Sequence, residues 1–528
     1  MRILIKNGRL ADGSGRSLFP ADVVIEGERL ACISPVGREG DFDRVIEAEG
    51  LVVAPGFIDT HSHSDLAVLL NPVLEPKLCQ GITTEVLGQD GISLAPLPVE
   101  YVSPWRKNLA GLDGDSDRID WTYKTTGGYL QLLEQNGVGL NEAYLVPHGN
   151  VRMEAMGLDN RPPTALELER MQDIVRRELE TGAFGLSSGL IYMPCAYAGR
   201  QELVSLCQVV AGYDGVFVVH QRSEADTVLE SMEEILDIGR QSGVKVHFSH
   251  FKICGVKNWR YLEPMLHLLD KAAREGIRVS FDQYPYAAGS TMLGVILPPW
   301  AHDGGTDKLL GRLQDQAARR RMIRDIEQGL PGWDNFWDFA GPDQIYVTSV
   351  KTAANRDLVG KNLVEIAGMR GKNVYDAAFD LLNEEGNAVG MVDFYGKEDQ
   401  VIRILQRPEQ NVCTDGLLGG KPHPRVYGSF PKVLGQYVRE EKVLTLEAAV
   451  RKMTGKPAEA FGLRERGLLK PGYFADVVIF NPNTVRDRGT YIEPAQYPMG
   501  IEYVFVNGGL ALDDGRPTGK LSGKVLRK

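Results

Sequence analysis

The chain has no apolar run approaching the eighteen or so residues that span a bilayer, so no membrane partner is expected. It has no CxxC pair. Its six cysteines (Cys32, Cys79, Cys195, Cys207, Cys254 and Cys413) are scattered, which points to reduced thiols rather than a disulfide framework. Basic charge is not in excess: 59 Lys and Arg stand against 70 Asp and Glu, a net charge of −11 that argues against a nucleic-acid or anionic-membrane partner. Met1 to Gly8 pass straight into a strand and turn pattern with no apolar signal-peptide region, and the expected location is cytoplasmic. There are no internal repeats and no low-complexity linker. What remains is an ordinary globular composition, 43% hydrophobic and 24% charged, over 528 residues. That length allows one large barrel with appendages. A homo-oligomer is compatible with it.

Histidine is scarce too, at nine residues, yet two of them stand in Asp59-Thr60-His61-Ser62-His63. They follow an apolar run with strand character, Leu51 to Ile58. In an extended chain residues i and i+2 face the same side, so His61 and His63 can converge on one metal ion. About 0.15 of such a pair arises by chance, so the motif needs support from the rest of the chain.

Short apolar strands alternate with helical patterns through the middle of the sequence, which predicts βα units around a parallel sheet. Strands are expected at 51–59, 83–88, 143–147, 183–187, 215–220, 245–250, 278–282 and 411–415. Eight such units predict an α/β fold, a (β/α)8 TIM-like barrel with its active site at the C-terminal strand ends. One helix is well marked: Thr164 and Glu167 form a capping box before Leu168, Met171, Ile174, Val175 and Leu179 at helical spacing. Residues 1–54 and 466–528 share a texture of short strands and turns, and a small β-sandwich built from both termini is the economical solution. The barrel then takes 55–287 and 346–465, with an inserted lobe at 288–345.

Polar residues collect at the expected strand ends. His220 closes Val216-Phe217-Val218-Val219 and His250 closes Val246-His247-Phe248-Ser249. A lone histidine after a strand is more often structural. Two on consecutive strands, joined to the HxH pair, point to a metal. Asp415 ends the eighth strand, where it is either a turn former before Gly416 or, beside a metal, a proton shuttle.

With these residues in view, the chain resembles the amidohydrolase superfamily and, within it, the D-aminoacylase (N-acyl-D-amino-acid deacylase) family. The resemblance runs through Gly56 to His63, Gly81-Ile82-Thr83-Thr84, Gly91 to Pro96, Gly185 to Tyr192, Ser249 to Lys252, Tyr284 to Thr291 and Pro422 to Gly428. It implies a metal-dependent hydrolase using one or two Zn2+ ions, with a small-molecule N-acyl amino acid as substrate. It also implies that Arg425 and Lys252 receive the substrate carboxylate and that Tyr192, Tyr284 and Ser290 line the pocket, although packing tyrosines read equally well. His148, at the end of the third strand, is expected to face the same mouth, either donating to the tetrahedral oxyanion or orienting a neighbour.

One departure stands out. Similar family members carry a cysteine ligand in Gly-Asn-Cys-Gly after strand two, where this chain reads Gly88-Gln89-Asp90-Gly91. Asp90 occupies the cysteine's place, with Glu85 on the strand as a second candidate. The metal set implied is His61, His63, Asp90, His220 and His250, with Asp415 moving the proton. The fourth strand has no lysine to form the carbamate bridge of hydantoinase- or dihydroorotase-like enzymes, which makes a cyclic-amide hydrolase the alternative rather than the main reading. A non-catalytic scaffold is a further alternative, disfavoured because all four histidines and the aspartate are present.

Overall fold

The protein was analysed as a computed structural model describing residues 1–528. Eight parallel strands form its centre: β1 (Phe57–Asp59), β2 (Ile82–Leu87), β3 (Asn141–Tyr144, continued by Val146–Pro147), β4 (Gly185–Gly189), β5 (Val216–His220), β6 (Lys245–Phe248), β7 (Val279–Gln283) and β8 (Gln410–Val412). Each pairs in parallel with the next. Gly416–Leu417, just past β8, pairs with Ser62–His63, just past β1. The Asp415 amide also donates to the His61 carbonyl at 2.9 Å. The ring is thereby closed as the (β/α)8 barrel the sequence predicts.

Period-two alternation explains how the strands place the site. On β5, Val216 and Val218 join an apolar cluster with Ile58 and Val86, and His220 follows on the same face at the strand end. Phe217 and Val219 face the other way, into a cluster with the surrounding helices. The expected helix runs from Ala165 to Glu180 with both halves of its capping box formed, burying Met171, Ile174, Val175 and Leu179.

The two ends of the chain share one nine-stranded sheet. Val52–Pro55 is antiparallel to Val477–Phe480 and so belongs to this sheet rather than to β1. The chain crosses into the barrel at Gly56, where a Cβ would stand 2.2 Å from the Thr83 hydroxyl oxygen. No helix is long and apolar enough to cross a membrane.

The insertion is longer than expected. Its sheet orders Ala288–Met292, Val389–Phe394 and Ile345–Val350, with the segment latest in sequence in the middle. Residues 346–394 therefore belong with the insertion, and the expected boundary at 345 is corrected. The physical reason is that Val389–Phe394 satisfies its backbone on both sides within this sheet, leaving no edge for the barrel.

Candidate metal centre and substrate cavity

The chain ends its barrel strands in a buried cluster of imidazoles and carboxylates. His61 and His63 follow β1, Asp90 follows β2, His220 closes β5, His250 follows β6 and Asp415 follows β8. Asp90 Oδ1 lies 3.7 Å from Nε2 of both His61 and His250, and its Oδ2 lies 3.5 Å from His63 Nε2. Asp415 Oδ1 stands 3.7 Å from His61 Nε2 and 3.4 Å from His63 Nε2. His220 Nδ1 and His250 Nε2 are 2.8 Å apart.

The local backbone is bent to reach this arrangement. Asp90, His250 and Asp415 all sit at positive φ (54°, 34° and 47°), a region that disfavours residues with a Cβ. Strain of this kind costs on the order of 1–3 kcal/mol per residue and gathers where function over-determines geometry. Gly88, at φ 76°, permits the turn: a Cβ there would stand 2.2 Å from the Leu145 carbonyl oxygen.

These residues fit a divalent cation. Both ring nitrogens of His61, Nε2 of His220 and Oδ1 of Asp90 are buried without a hydrogen-bond partner, a condition costing about 1–3 kcal/mol per group. Bonds of 2.0–2.2 Å to nitrogen and oxygen place tetrahedral ligand atoms about 3.4 Å apart. The carboxylate–imidazole separations of 3.4–3.7 Å match such edges and exceed hydrogen-bond lengths. Ligand-bearing atoms within 4.8 Å of one another fall into three overlapping sets: His61/Asp90/His250, His61/His63/Asp415 and His220/Glu224/His250. Glu85 is in none of them. Its Oε2 accepts from Ser62 and Ser64 and lies 3.2 Å from Lys77 Nζ. Of the two carboxylates weighed at this position, Asp90 is the one beside the imidazoles.

Electrostatics agree. Burial favours a neutral His61, but Asp90, Asp415 and Asp282 outweigh it and push the ring up to about 10. The same surplus of negative charge attracts a divalent ion, which competes with that proton. Asp415 is opposed by burial, yet Arg425, His61 and His63 hold it well below the usual carboxylate range.

Three carboxylates around the cluster gave no sequence signal. Asp282, on β7, stands 3.8 Å from His61 Nδ1, accepts from the His250 amide at 2.5 Å and bonds His247 Nε2 at 2.9 Å. Asp113 faces His63 Nδ1 at 3.4 Å. Glu224, four residues after His220, lies 3.1 Å from His250 Nδ1 and 2.7 Å from Lys252 Nζ. Of the three, Glu224 hydrogen-bonds an outer ring nitrogen, that of His250, and such a bond leaves the inner nitrogen free for a metal.

The cavity beside the cluster is lined by Tyr192, Lys252, Tyr284, Ser290 and Arg425, all predicted from sequence, and by Ile191, Phe336, Phe339, Asp393 and Tyr395, which were not. Arg425 is fully buried, 3.0 Å from Asp415 Oδ2, with its guanidinium over the Tyr284 ring at 4.5 Å. Its Nη2 donates to the Ser290 carbonyl, whereas Nε and Nη1 make no hydrogen bond. The hydroxyls of Ser290, Tyr192 and Tyr284 are already engaged by the Met391 carbonyl, Thr291 and Tyr395.

His148 corrects an expectation. It does not line this cavity. It opens the helix His148–Met156, and both ring nitrogens are occupied, Nδ1 by Ser188 Oγ at 2.9 Å and Nε2 by Glu202 at 2.8 Å. Period-two alternation is the cause: Ala143 and Leu145 face the barrel interior with Val216 and Val218, whereas Val146, and His148 two residues on, fall on the outer face.

Against known proteins, the amidohydrolase family matches residues 44–324 and 414–510. An N-acyl-D-glutamate deacylase of Alcaligenes xylosoxydans xylosoxydans is 37% identical, covering 100% of this chain and 96% of the relative. A D-aminoacylase of the same organism is 35% identical, covering 100% and 97%. The solved structure of N-acyl-D-glutamate deacylase from Bordetella bronchiseptica, complexed with zinc and a phosphonate mimic of the tetrahedral intermediate, superposes with a TM-score of 0.84. It is 36% identical and covers 100% of this chain and 99% of that one.

Proposed function

The chain belongs to the amidohydrolase family, and from that premise we propose that it is a zinc-dependent N-acyl-D-amino-acid deacylase. It releases a D-amino acid and a carboxylic acid from the linear amide. The observation that carries this reading is the end-to-end similarity to deacylases of N-acyl-D-amino acids. The residues that would hold zinc are Asp90, His220 and His250 at one position and His61 and His63 at a second, with room for one or two ions. Bound zinc supplies Lewis acidity that polarises the amide carbonyl and makes water a better nucleophile.

The chain's own residues do the rest. Asp415, held ionised by Arg425 and the imidazoles, takes the proton of the attacking water and passes it to the leaving amine nitrogen. Arg425 and Lys252 receive the substrate carboxylate. Tyr284 holds both cations against its ring, Arg425 at 4.5 Å and Lys252 at 5.8 Å, which supports a shared anion-binding role. The insertion brings Phe336 and Phe339 against the cavity as part of its apolar wall. We also read the protein as cytoplasmic, supported by six free cysteines.

The test is release of free amine from paired N-acetyl-D- and N-acetyl-L-amino acids, with a hydantoin and a dihydropyrimidine alongside. Turnover of the D-series is expected. Turnover confined to the cyclic amides would overturn the reading, as would a preference for the L-series.

A further inference from the structure

Where the cavity meets the insertion, one carboxylate has nothing to hold. Asp393 lies on the middle strand of the insertion's sheet, is 3% exposed and lines the cavity. Its only hydrogen bond is to its own backbone. The other carboxylates of the cavity are engaged. Asp415 faces Arg425 at 3.0 Å and Glu224 faces Lys252 at 2.7 Å. Asp334 accepts from Ser223 Oγ at 2.5 Å and from the Glu224 amide at 2.6 Å. Asp90 lies among three imidazoles. Both cavity cations are thus paired, and Asp393 is the acid left over.

The neighbouring strand makes room for the carboxylate itself. The residue opposite Asp393 on the neighbouring strand is Gly289. A Cβ at that position would stand 3.0 Å from Asp393 Oδ1 and 2.8 Å from Tyr395 Cε1. Gly289 is not at positive φ, so the missing side chain answers a need for room rather than for backbone freedom. The same cavity carries an apolar wall of Leu112, Ile191, Phe336 and Phe339. An aliphatic stem fits that wall, and a positive or hydrogen-bond-donating tip fits the carboxylate beyond it. Burial pushes the Asp393 carboxyl up to about 7, with Lys252 and Arg425 opposing; a cationic ligand would draw it back toward the charged form.

Resting on the deacylase reading above, we propose that Asp393 determines the side-chain specificity of this enzyme. It favours D-amino acids with an aliphatic stem and a cationic tip, lysine- or arginine-like, and rejects carboxylate side chains. A second buried carboxylate brought against an unpaired one meets like-charge repulsion in a low-dielectric setting, whereas an ammonium or guanidinium completes a charge-assisted pair.

The experiment compares kcat/KM for N-acetyl-D-lysine, N-acetyl-D-leucine and N-acetyl-D-glutamate in wild type, Asp393→Asn and Gly289→Ala, each checked for an intact thermal transition. Wild type is expected to favour lysine over glutamate by about 100-fold or more. Asp393→Asn keeps the shape and removes the charge, and should lower the lysine-to-leucine ratio by about tenfold or more while raising the glutamate-to-leucine ratio. Gly289→Ala should lower the lysine-to-leucine ratio by crowding Asp393 and Tyr395 out of position. Ratios unchanged within about twofold in Asp393→Asn, or a wild type that prefers glutamate, would overturn the assignment. If no N-acetyl-D-amino acid is turned over, the deacylase reading fails separately. Calorimetric binding of free D-lysine and D-glutamate then decides the assignment: tighter D-lysine binding that collapses in Asp393→Asn upholds it, and equal binding sinks it.

Discussion

Two charged clusters lie side by side in the barrel interior, and consecutive stretches of the same segment feed both. Asp59 serves the first. Its Oδ2 takes Lys77 Nζ at 2.7 Å, and Lys77 also donates to Ser62 Oγ at 2.8 Å and Thr414 Oγ1 at 2.6 Å, placing all three ammonium protons. His61 and His63, two and four residues on, serve the second, where imidazole and carboxylate atoms stand 3.4–3.7 Å apart and four of them lack any partner. Both clusters are fully buried and both join β1 to β8. The first is a strut in which one ammonium is shared by two carboxylates and two hydroxyls. The second is satisfied only by a cation supplied from outside. Burial and charge therefore do not distinguish structure from function; the spacing of the charged atoms does.

Substitutions can break that contrast, beginning with the largest expected effect. Asp415→Asn should keep zinc and fold while losing at least about 10²–10⁴-fold in kcat, the range of general acid–base catalysis. Turnover close to wild type would remove Asp415 from the proton path. Lys77→Met should leave Asp59 and Glu85 as unpaired buried charges and destabilise the protein by about 3–5 kcal/mol, read as a lowered urea midpoint. Its zinc content per folded chain should be unchanged. Loss of zinc at unaltered stability would exchange the roles of the two clusters.

Arg425→Met sharpens the comparison within the cavity. Removing the clamp should cost about 2–5 kcal/mol in transition-state binding for an N-acyl-D-amino acid. The corresponding carboxamide, which has no carboxylate to hold, should suffer far less. An equal loss on both would make Arg425 a support for Asp415 alone.

The smallest effect is one of pH, at the pair that turned out to lie outside the cavity. Burial favours a neutral His148, but Cys195 and Glu202 outweigh it and raise the ring from 6.5 to about 9. A raised histidine stabilises fully below pH 6.5 and loses that contribution as pH climbs through about 9. Wild type should lose on the order of 1–2 °C of Tm over this window beyond the slope seen in His148→Asn. Parallel slopes in the two proteins would contradict the charged pair.

Much of this was legible in the sequence because barrel strands end abruptly. A short apolar run closing on a polar residue, as at His220, His250 and Asp415, marks both the strand and the residue it presents. Asp90 was legible only through the resemblance, which sets Gly88-Gln89-Asp90-Gly91 against the family's Gly-Asn-Cys-Gly. Asp282, Asp113 and Glu224 could not, because a lone acid in a loop or strand carries no periodic signal and only the folded chain brings it to a histidine. Val389–Phe394 was not among the expected strands, and its pairing with Ala288–Met292 and Ile345–Val350 assigns it to the insertion. His148 was misread because the alternation that turns Ala143 and Leu145 inward turns Val146 and His148 outward, and the sequence reading did not carry it to the strand end.

The central claim is that Asp90 does the work expected of a cysteine at this position, supplying the negative charge that holds zinc among imidazoles. The direct measurement is zinc content after dialysis against a graded chelator, for wild type, Asp90→Ala and Asp90→Cys. Asp90→Ala is expected to release zinc at chelator concentrations that wild type withstands. Asp90→Cys is expected to hold it at least as firmly as wild type, since a thiolate is the softer and tighter zinc ligand. If Asp90→Ala retained its zinc as firmly as wild type, Asp90 would not be a ligand and the account would be wrong at its centre.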